Sequence, residues 1–209
     1  MTAVAKSYVA VAAIWKNNTA VQKVQANSTA WATFTGASSA VMGKAVATLA
    51  GLNPASYADM AAVAASSTAM AAIIGNSTAL NAVVSSQTAM TAVAGSATAR
   101  NAITSSDTAK TALANSPLKK TTTSSNGSYG TVVSGRCFII SVKNNNSGNT
   151  SARTHYFRYV FSGSATSTTT VNFSATYAAA AQVNMFTDTN GISYYNNDSI
   201  PGLITYIPC

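Results

Sequence analysis

The chain contains no glutamate, four aspartates and a single histidine. Lys and Arg number 12, so only 8% of its 209 residues are charged and the formal net charge is +8. This scarcity bears first on chemistry. General acid–base catalysis needs side chains that titrate near the working pH and reach the substrate by hydrogen bonding. Here His155 is the sole imidazole, and Asp59, Asp107, Asp188 and Asp198 are the only side-chain carboxylates. His155 stands in "RTHYFRYVF", where a strand would alternate His155, Phe157, Tyr159 and Phe161 on one face and pack the imidazole beside Phe157. Asp188 falls in the turn "TDTNG", and Asp198 follows Asn196-Asn197. That group is too poor in carboxylates for a Ca²⁺ site. No Cys/His metal spacing, phosphate-binding glycine loop or nucleophile elbow is present. The expectation is a protein that is not an enzyme, with no catalytic residues, no metal and no cofactor.

Other absences narrow the partners. No apolar run reaches the ~20 residues of a membrane-spanning helix, because Thr, Ser and Asn interrupt each one. No membrane insertion is expected. The opening "MTAVAKSYVAVAAIWKNN" lacks a small-residue cleavage site, and its apolar run falls into register with the repeat below, so it reads as repeat and not as leader. The basic residues Lys6, Lys16, Lys23, Lys44, Arg100 and Lys110 are scattered, and only Lys119-Lys120 are adjacent. A nucleic-acid surface clusters its Lys and Arg among aromatics. Specific nucleic-acid binding is therefore not expected. Aromatics are missing from residues 58–128, then twelve of them, seven Tyr, crowd into 129–209. That asymmetry divides the chain.

What fills the first half is a repeat. Thr-Ala recurs at Thr68, Thr78, Thr88, Thr98 and Thr108, and the register extends back through Ala58, Thr48, Ser39, Thr29 and Thr19 to Val9 with one slip. Fixed-period self-similarity of this kind marks a repeat architecture. Ten residues of α-helix turn by ~1000°, about 80° short of three full turns, so one continuous helix would smear the pattern around its surface. The reading is one short helix and one corner per unit. Ser67, Ser77 and Asp107 are expected to cap helix starts. Gly75, Gly95 and Asn115-Ser116 are expected to end helices. Roughly seven helical residues per unit are unstable alone in water. Neighbours must cover them, through close contacts at Ala82 and Ala92 and a buried stripe at Ile73, Val83, Val93, Ile103 and Leu113. The third position, apolar from Met60 to Met90 and then Arg100 and Lys110, is either core or a face toward another chain that becomes solvated near Arg100.

After Pro117, "LKKTTTSSNGS" reads as a polar linker. Short β-branched and aromatic runs then alternate with turn signals such as "NNNSGNTS" and "DTNG". The fold class expected is α+β: a solenoid-like array of short helices with a ten-residue period over 1–117, a linker over 118–128, and a small antiparallel β-sandwich or barrel over 129–209. A domain of that size gains from oligomerisation.

Two features of the second half carry the candidate site. In "GISYYNN", adjacent strand residues Tyr194 and Tyr195 point to opposite faces. With Asn196 and Asn197 they form the candidate binding surface, suited to flat contacts with protein or sugar. Cys137 and Cys209 leave three alternatives open: free thiols, an intrachain bridge closing about seventy residues, or a bond to a neighbouring chain.

The stretch "SSTAMAAIIGNSTALNAVVSSQTAMTAVAGSATARNAI" resembles the Ser-Thr-Ala-Met-x-Ala-Val decapeptide arrays of tailed-bacteriophage structural proteins, tail fibres and other virion appendages. The resemblance covers the first half of the chain. It implies a non-enzymatic, multi-copy virion component such as a fibre, a collar or whisker. Its expected partners are further copies of itself, other virion proteins and a host-surface glycan. A bacterial surface adhesin or repeat protein is the alternative. Ice binding is disfavoured, because alanine-rich antifreeze helices repeat every eleven residues and not every ten.

Overall fold

A computed structural model of the chain describes residues 1–124, 128–148, 150–161, 167–168, 170–196 and 200–209. The chain is α+β and divides into two units, Met1–Leu118 and Lys119–Cys209.

In the first unit the ten-residue period resolves into α1 (Tyr8–Trp15), α2 (Asn18–Gln25), α3 (Ser28–Thr35), α4 (Ser39–Leu49), α5 (Met60–Ala65), α6 (Ser67–Ile74), α7 (Ser77–Val84), α8 (Gln87–Gly95), α9 (Ala97–Thr104) and α10 (Asp107–Ala114). Most hold eight residues, about 12 Å of helix. Each starts on a side-chain oxygen. Asn27, Ser66, Asn76, Ser86, Ser96 and Ser106 each accept the N–H of the alanine three residues on. The caps thus lie one residue before the expected Ser67, Ser77 and Asp107, which are the first helical residues instead. The reason is reach. The N–H that needs an acceptor belongs to the Ala of the Thr-Ala pair, and only the earlier residue stands three before it. Asp107, displaced into the first turn, favours the positive end of α10 and pairs with Lys110 at 2.6 Å.

Consecutive helices meet at sharp corners; α6 and α7 are bent by 106°. Helices three apart in chain order pack on one another: α1 on α4, α4 on α7, α7 on α10, α5 on α8 and α6 on α9. The alanines of the Thr-Ala pairs, Ala69, Ala79, Ala89, Ala99 and Ala109, are fully buried, as are Val83, Val93 and Leu113. Of the two alanines expected at close contacts, Ala82 is buried, whereas Ala92 is half-buried. The third position is core from Met60 through Arg100, and Lys110 is half-buried. Met60, Met70, Leu80 and Met90 are buried, and Arg100 is only 6% exposed. The guanidinium of Arg100 donates to the Ala94 carbonyl at 2.8 Å, so the expectation that this stripe becomes solvated at Arg100 is overturned. Its aliphatic stem keeps the apolar row going while its head bonds the preceding helix end.

The unit at Thr48 makes no helix of its own. Helix α4 absorbs Thr48 and stops at Gly51, whose φ of +76° is open to glycine at little cost. That turn lets the Leu52 N–H reach back to Ala47 O at 2.9 Å. Pro54 then opens a single-turn helix, Pro54–Ser56. Gly43 of α4 lies directly on the entry to α5; a Cβ there would stand 2.3 Å from the backbone carbon of Asp59.

The second unit holds β1 (Lys120–Ser124), β2 (Gly130–Val133), β3 (Cys137–Asn144), β4 (Arg153–Arg158), β5 (Val160–Phe161), β6 (Ser167–Thr168), β7 (Val171–Ala175), β8 (Ala181–Thr187), β9 (Ile192–Asn196) and β10 (Gly202–Pro208). They form two antiparallel sheets, ordered β1-β10-β3-β8-β5-β6 and β2-β9-β4-β7. The segment read as a linker over 118–128 contains strand β1, which pairs Lys120–Ser124 with Tyr206–Gly202. A threonine run is β-prone, and an open edge of β10 gives it a partner. Side chains of both sheets meet in one core that includes Ile139, Val142, Phe157, Val160, Ile192, Tyr194 and Ile204.

The run "HYFRYVF" was expected to place His155, Phe157, Tyr159 and Phe161 on one face. It breaks at Tyr159, which has φ of +60° and is 39% exposed. There the chain leaves the four-stranded sheet at β4 and enters the six-stranded sheet at β5. A corner between sheets needs such a bend, and it turns Tyr159 out of the alternation.

Candidate functional site

Strand β9 is central in its sheet, flanked by β2 and β4. Alternation sends Tyr194 and Tyr195 to opposite faces. Tyr194 goes inward and is 0% exposed. Tyr195 stays half-buried on the outer face, where its ring lies 5.1 Å from Tyr156 and 5.2 Å from Tyr129. The register explains the first contact, because Tyr156 of β4 stands directly opposite Tyr195 and, on its other side, opposite Asn172 of β7. Cross-strand aromatic pairs of this kind stabilise a sheet as well as shape its surface. The Arg158 guanidinium covers the Tyr129 ring, with Cζ 3.6 Å from its centroid. The result is a row of three tyrosines ending in a cation. Exposed Thr131, Thr154, Asn172 and Ser174 come from the same three strands that flank or carry it.

The four expected binding residues therefore separate. Tyr195 belongs to the outer face. Tyr194 does not; the expectation that it joins a binding surface is overturned by its place in the core. Asn196 is also buried, and its amide donates to the Ile200 carbonyl, so it fixes the β9–β10 connection and is not presented to a partner. Asn197 lies outside the described residues, as does Asp198. Sequence reasoning missed Tyr129, Tyr156 and Arg158 as one cluster. Alternation puts Tyr156 and Arg158 on one face of β4, but only the order β2-β9-β4 brings them to Tyr195 and to Tyr129 just before β2.

The inward side of the same strands holds a closed polar network. His155 is fully buried, with Nδ1 2.7 Å from the Tyr194 hydroxyl and Nε2 3.0 Å from Asn144 Oδ1. Asn144 donates in turn to the Ser151 carbonyl at 2.9 Å. The acceptor Oδ1 places the imidazole proton on Nε2, which leaves Nδ1 to accept from the tyrosine. Burial pushes the His155 pKa down to about 4 and raises that of Tyr194, the latter offset in part by the Gly202 N–H. Both groups are neutral at pH 7 and mutually satisfied. This is the packed histidine the sequence foretold, and its geometry is that of a structural cross-tie between sheets. Asp188 is likewise a turn residue, accepting the Asn190 N–H at 2.8 Å.

Cys137 and Cys209 are free thiols. Cys137 stands opposite Pro208 in the β3–β10 ladder, and the Cys209 N–H donates to Arg136 O at 2.8 Å. Burial raises both thiol pKa values, that of Cys137 to about 12. Thiolate is the reactive form, so burial disfavours reaction at both, most fully at buried Cys137, while Cys209 stays partly exposed. Among the described residues, no three His, Cys, Asp or Glu side chains gather as a metal site would require. No protein-family model matches the chain, and no curated protein matches it at significance.

Proposed function

We propose that this chain is a structural component of a tailed-phage virion, a fibre-like or appendage part. Its first unit serves as a short helical solenoid, and its second is a β-sandwich that contacts neighbouring virion proteins or a host-surface receptor. The observation that supports this reading is the stacking of α4, α7 and α10, and of α5 on α8 and α6 on α9, each pair three helices apart in the chain. Such an array extends by adding units, and each unit is covered only by its neighbours, which is the economy of a rod-like spacer. The outer row of Tyr129, Tyr195 and Tyr156 supplies the contact face. Tyrosine gives large, stiff contact area with a polar tip, and it is enriched where protein surfaces meet. Function in this reading is assembly and attachment, with several copies per particle.

Density-gradient fractionation of a phage lysate tests the proposal. The chain is expected in the particle band, identified by mass spectrometry, at a fixed ratio to the other virion proteins. Recovery only in the soluble or cell-envelope fraction refutes it, and the second of these outcomes favours a surface adhesin.

A further inference from the structure

The first unit carries a cleft that the assembly reading does not use. It has a volume of about 310 Å³ and opens between α1 and α2 on one side and α7 and α10 on the other. Helix α2 buries none of its residues, and its Asn18, Val21 and Gln25 form that side of the opening.

The lining defines the ligand by elimination. Trp15, Asn18, Gln25, Thr78, Asn81 and Asn115 line the cleft with Val, Ala, Ser and Pro residues, and none of the lining residues is ionisable. A phosphate, carboxylate or cation would find no opposite charge in the lining to favour it over water. A purely apolar ligand would strand the amides. Asn18, Gln25 and Asn81 make no side-chain hydrogen bond within the described protein, so each offers both a donor and an acceptor. The Trp15 indole N–H is buried and lacks an acceptor in the protein. Trp15 itself is 5% exposed and is fixed against Trp31 and Phe34 at 5.8 and 5.4 Å, so its ring stands as a rigid wall of the cleft.

We propose that this cleft binds one unit of a neutral saccharide. Vicinal hydroxyls donate and accept in alternation and match carboxamides of the same dual character. The volume lies at the small end of ligand pockets, which suits one or two sugar rings. A solvent-open polar site exchanges water hydrogen bonds for protein ones, so the affinity expected is in the millimolar range.

The chain has two tryptophans, and Trp15 borders the site, so intrinsic fluorescence is a direct readout. The full chain is titrated with D-glucose, D-galactose and N-acetyl-D-glucosamine, with D-glucuronate as the anionic control. Saturation-transfer NMR on the same samples provides a second measurement. A saturable response to at least one neutral sugar is expected, weakened about fivefold or more by Asn81→Ala and by Asn18→Ala. Asn81 and Asn18 are exposed at the cleft rim, so both variants retain the fold. Three results overturn the proposal: no saturable response up to about 100 mM, far above a millimolar Kd; a response indifferent to both substitutions; or equal binding of glucuronate.

Discussion

The Ser96 hydroxyl donates to the Ala64 carbonyl at 2.7 Å while accepting the Ala99 N–H at 3.3 Å. One side chain thus caps the start of α9 and satisfies the end of α5. The same double bond recurs where Ser86 joins Ala89 to Thr35, and where Asn76 joins Ala79 to Leu49 through its two amide atoms. Ser116 continues it to Val84 at 2.6 Å. This accounts for the Ser and Asn at these caps. Aspartate caps as well as either, but it has no proton to give to the carbonyl below.

Ser96→Ala removes both bonds and is expected to cost about 1–3 kcal/mol. Ser66→Ala, at a residue that caps α6 alone, is expected to cost ~1 kcal/mol. Ser96→Asp restores the cap but sets a carboxylate against the Ala64 carbonyl, so it does not recover stability, whereas Ser66→Asp does. Chemical denaturation of the four variants checks the order.

Gly43 and Asp59 touch backbone to backbone, and no side-chain movement relieves a Cβ placed 2.3 Å from a carbonyl carbon. Gly43→Ala is expected to cost ~2 kcal/mol or more through overpacking, although alanine is the better helix former. Ala82→Leu, at a buried position, falls in the same ~1–3 kcal/mol range, while half-buried Ala92→Leu costs less. A thermal melt in which Gly43→Ala gains stability contradicts the packing described.

His155 makes stability pH-dependent. Its folded pKa is about 4 against an ordinary 6.5. Below pH 6.5 the unfolded chain takes up a proton that the folded chain refuses until about pH 4. Stability is therefore fully present above 6.5, declines between 6.5 and 4, and levels off below. The depression of some 2.5 units bounds the loss at about 3 kcal/mol. His155→Gln is expected to flatten that part of the profile, measured by urea denaturation from pH 4 to 7. An unchanged slope would show that the ring does not titrate as its burial demands.

The cysteines are expected to remain thiols in the native chain, with Cys137 reacting with a thiol reagent only after unfolding. On a non-reducing gel the chain then runs at 21.2 kDa. A band at twice that mass, lost in Cys209→Ser, would establish the interchain bond instead.

The period, one helix per unit everywhere but at Thr48, and the β character of the second half were legible, because each rests on local chemistry. A cap needs a Ser or Asn, and a strand alternates. What the sequence did not carry depends on partners far along the chain. The cap residue was misplaced by one because Ser66 and Ser67 are chemically equal, and only the packed helix chooses between them. Arg100 read as solvated because the sequence shows its charge and not the Ala94 carbonyl that receives it. Thr121 to Thr123 read as linker until β10 offered an edge. In the candidate site, the opposition of Tyr194 and Tyr195 was legible, but which of them faces out was decided by the core. Tyr129, Tyr156 and Arg158 come together only through the β2-β9-β4 order.

The central claim is that this chain is built into a particle. Immunogold electron microscopy of purified phage, with antibody raised to the full chain, tests it most directly. The account predicts gold at a recurring appendage position, with that labelling lost in particles from a strain in which the coding sequence is interrupted. Particles that carry no label, with gold confined to the host envelope, would contradict it.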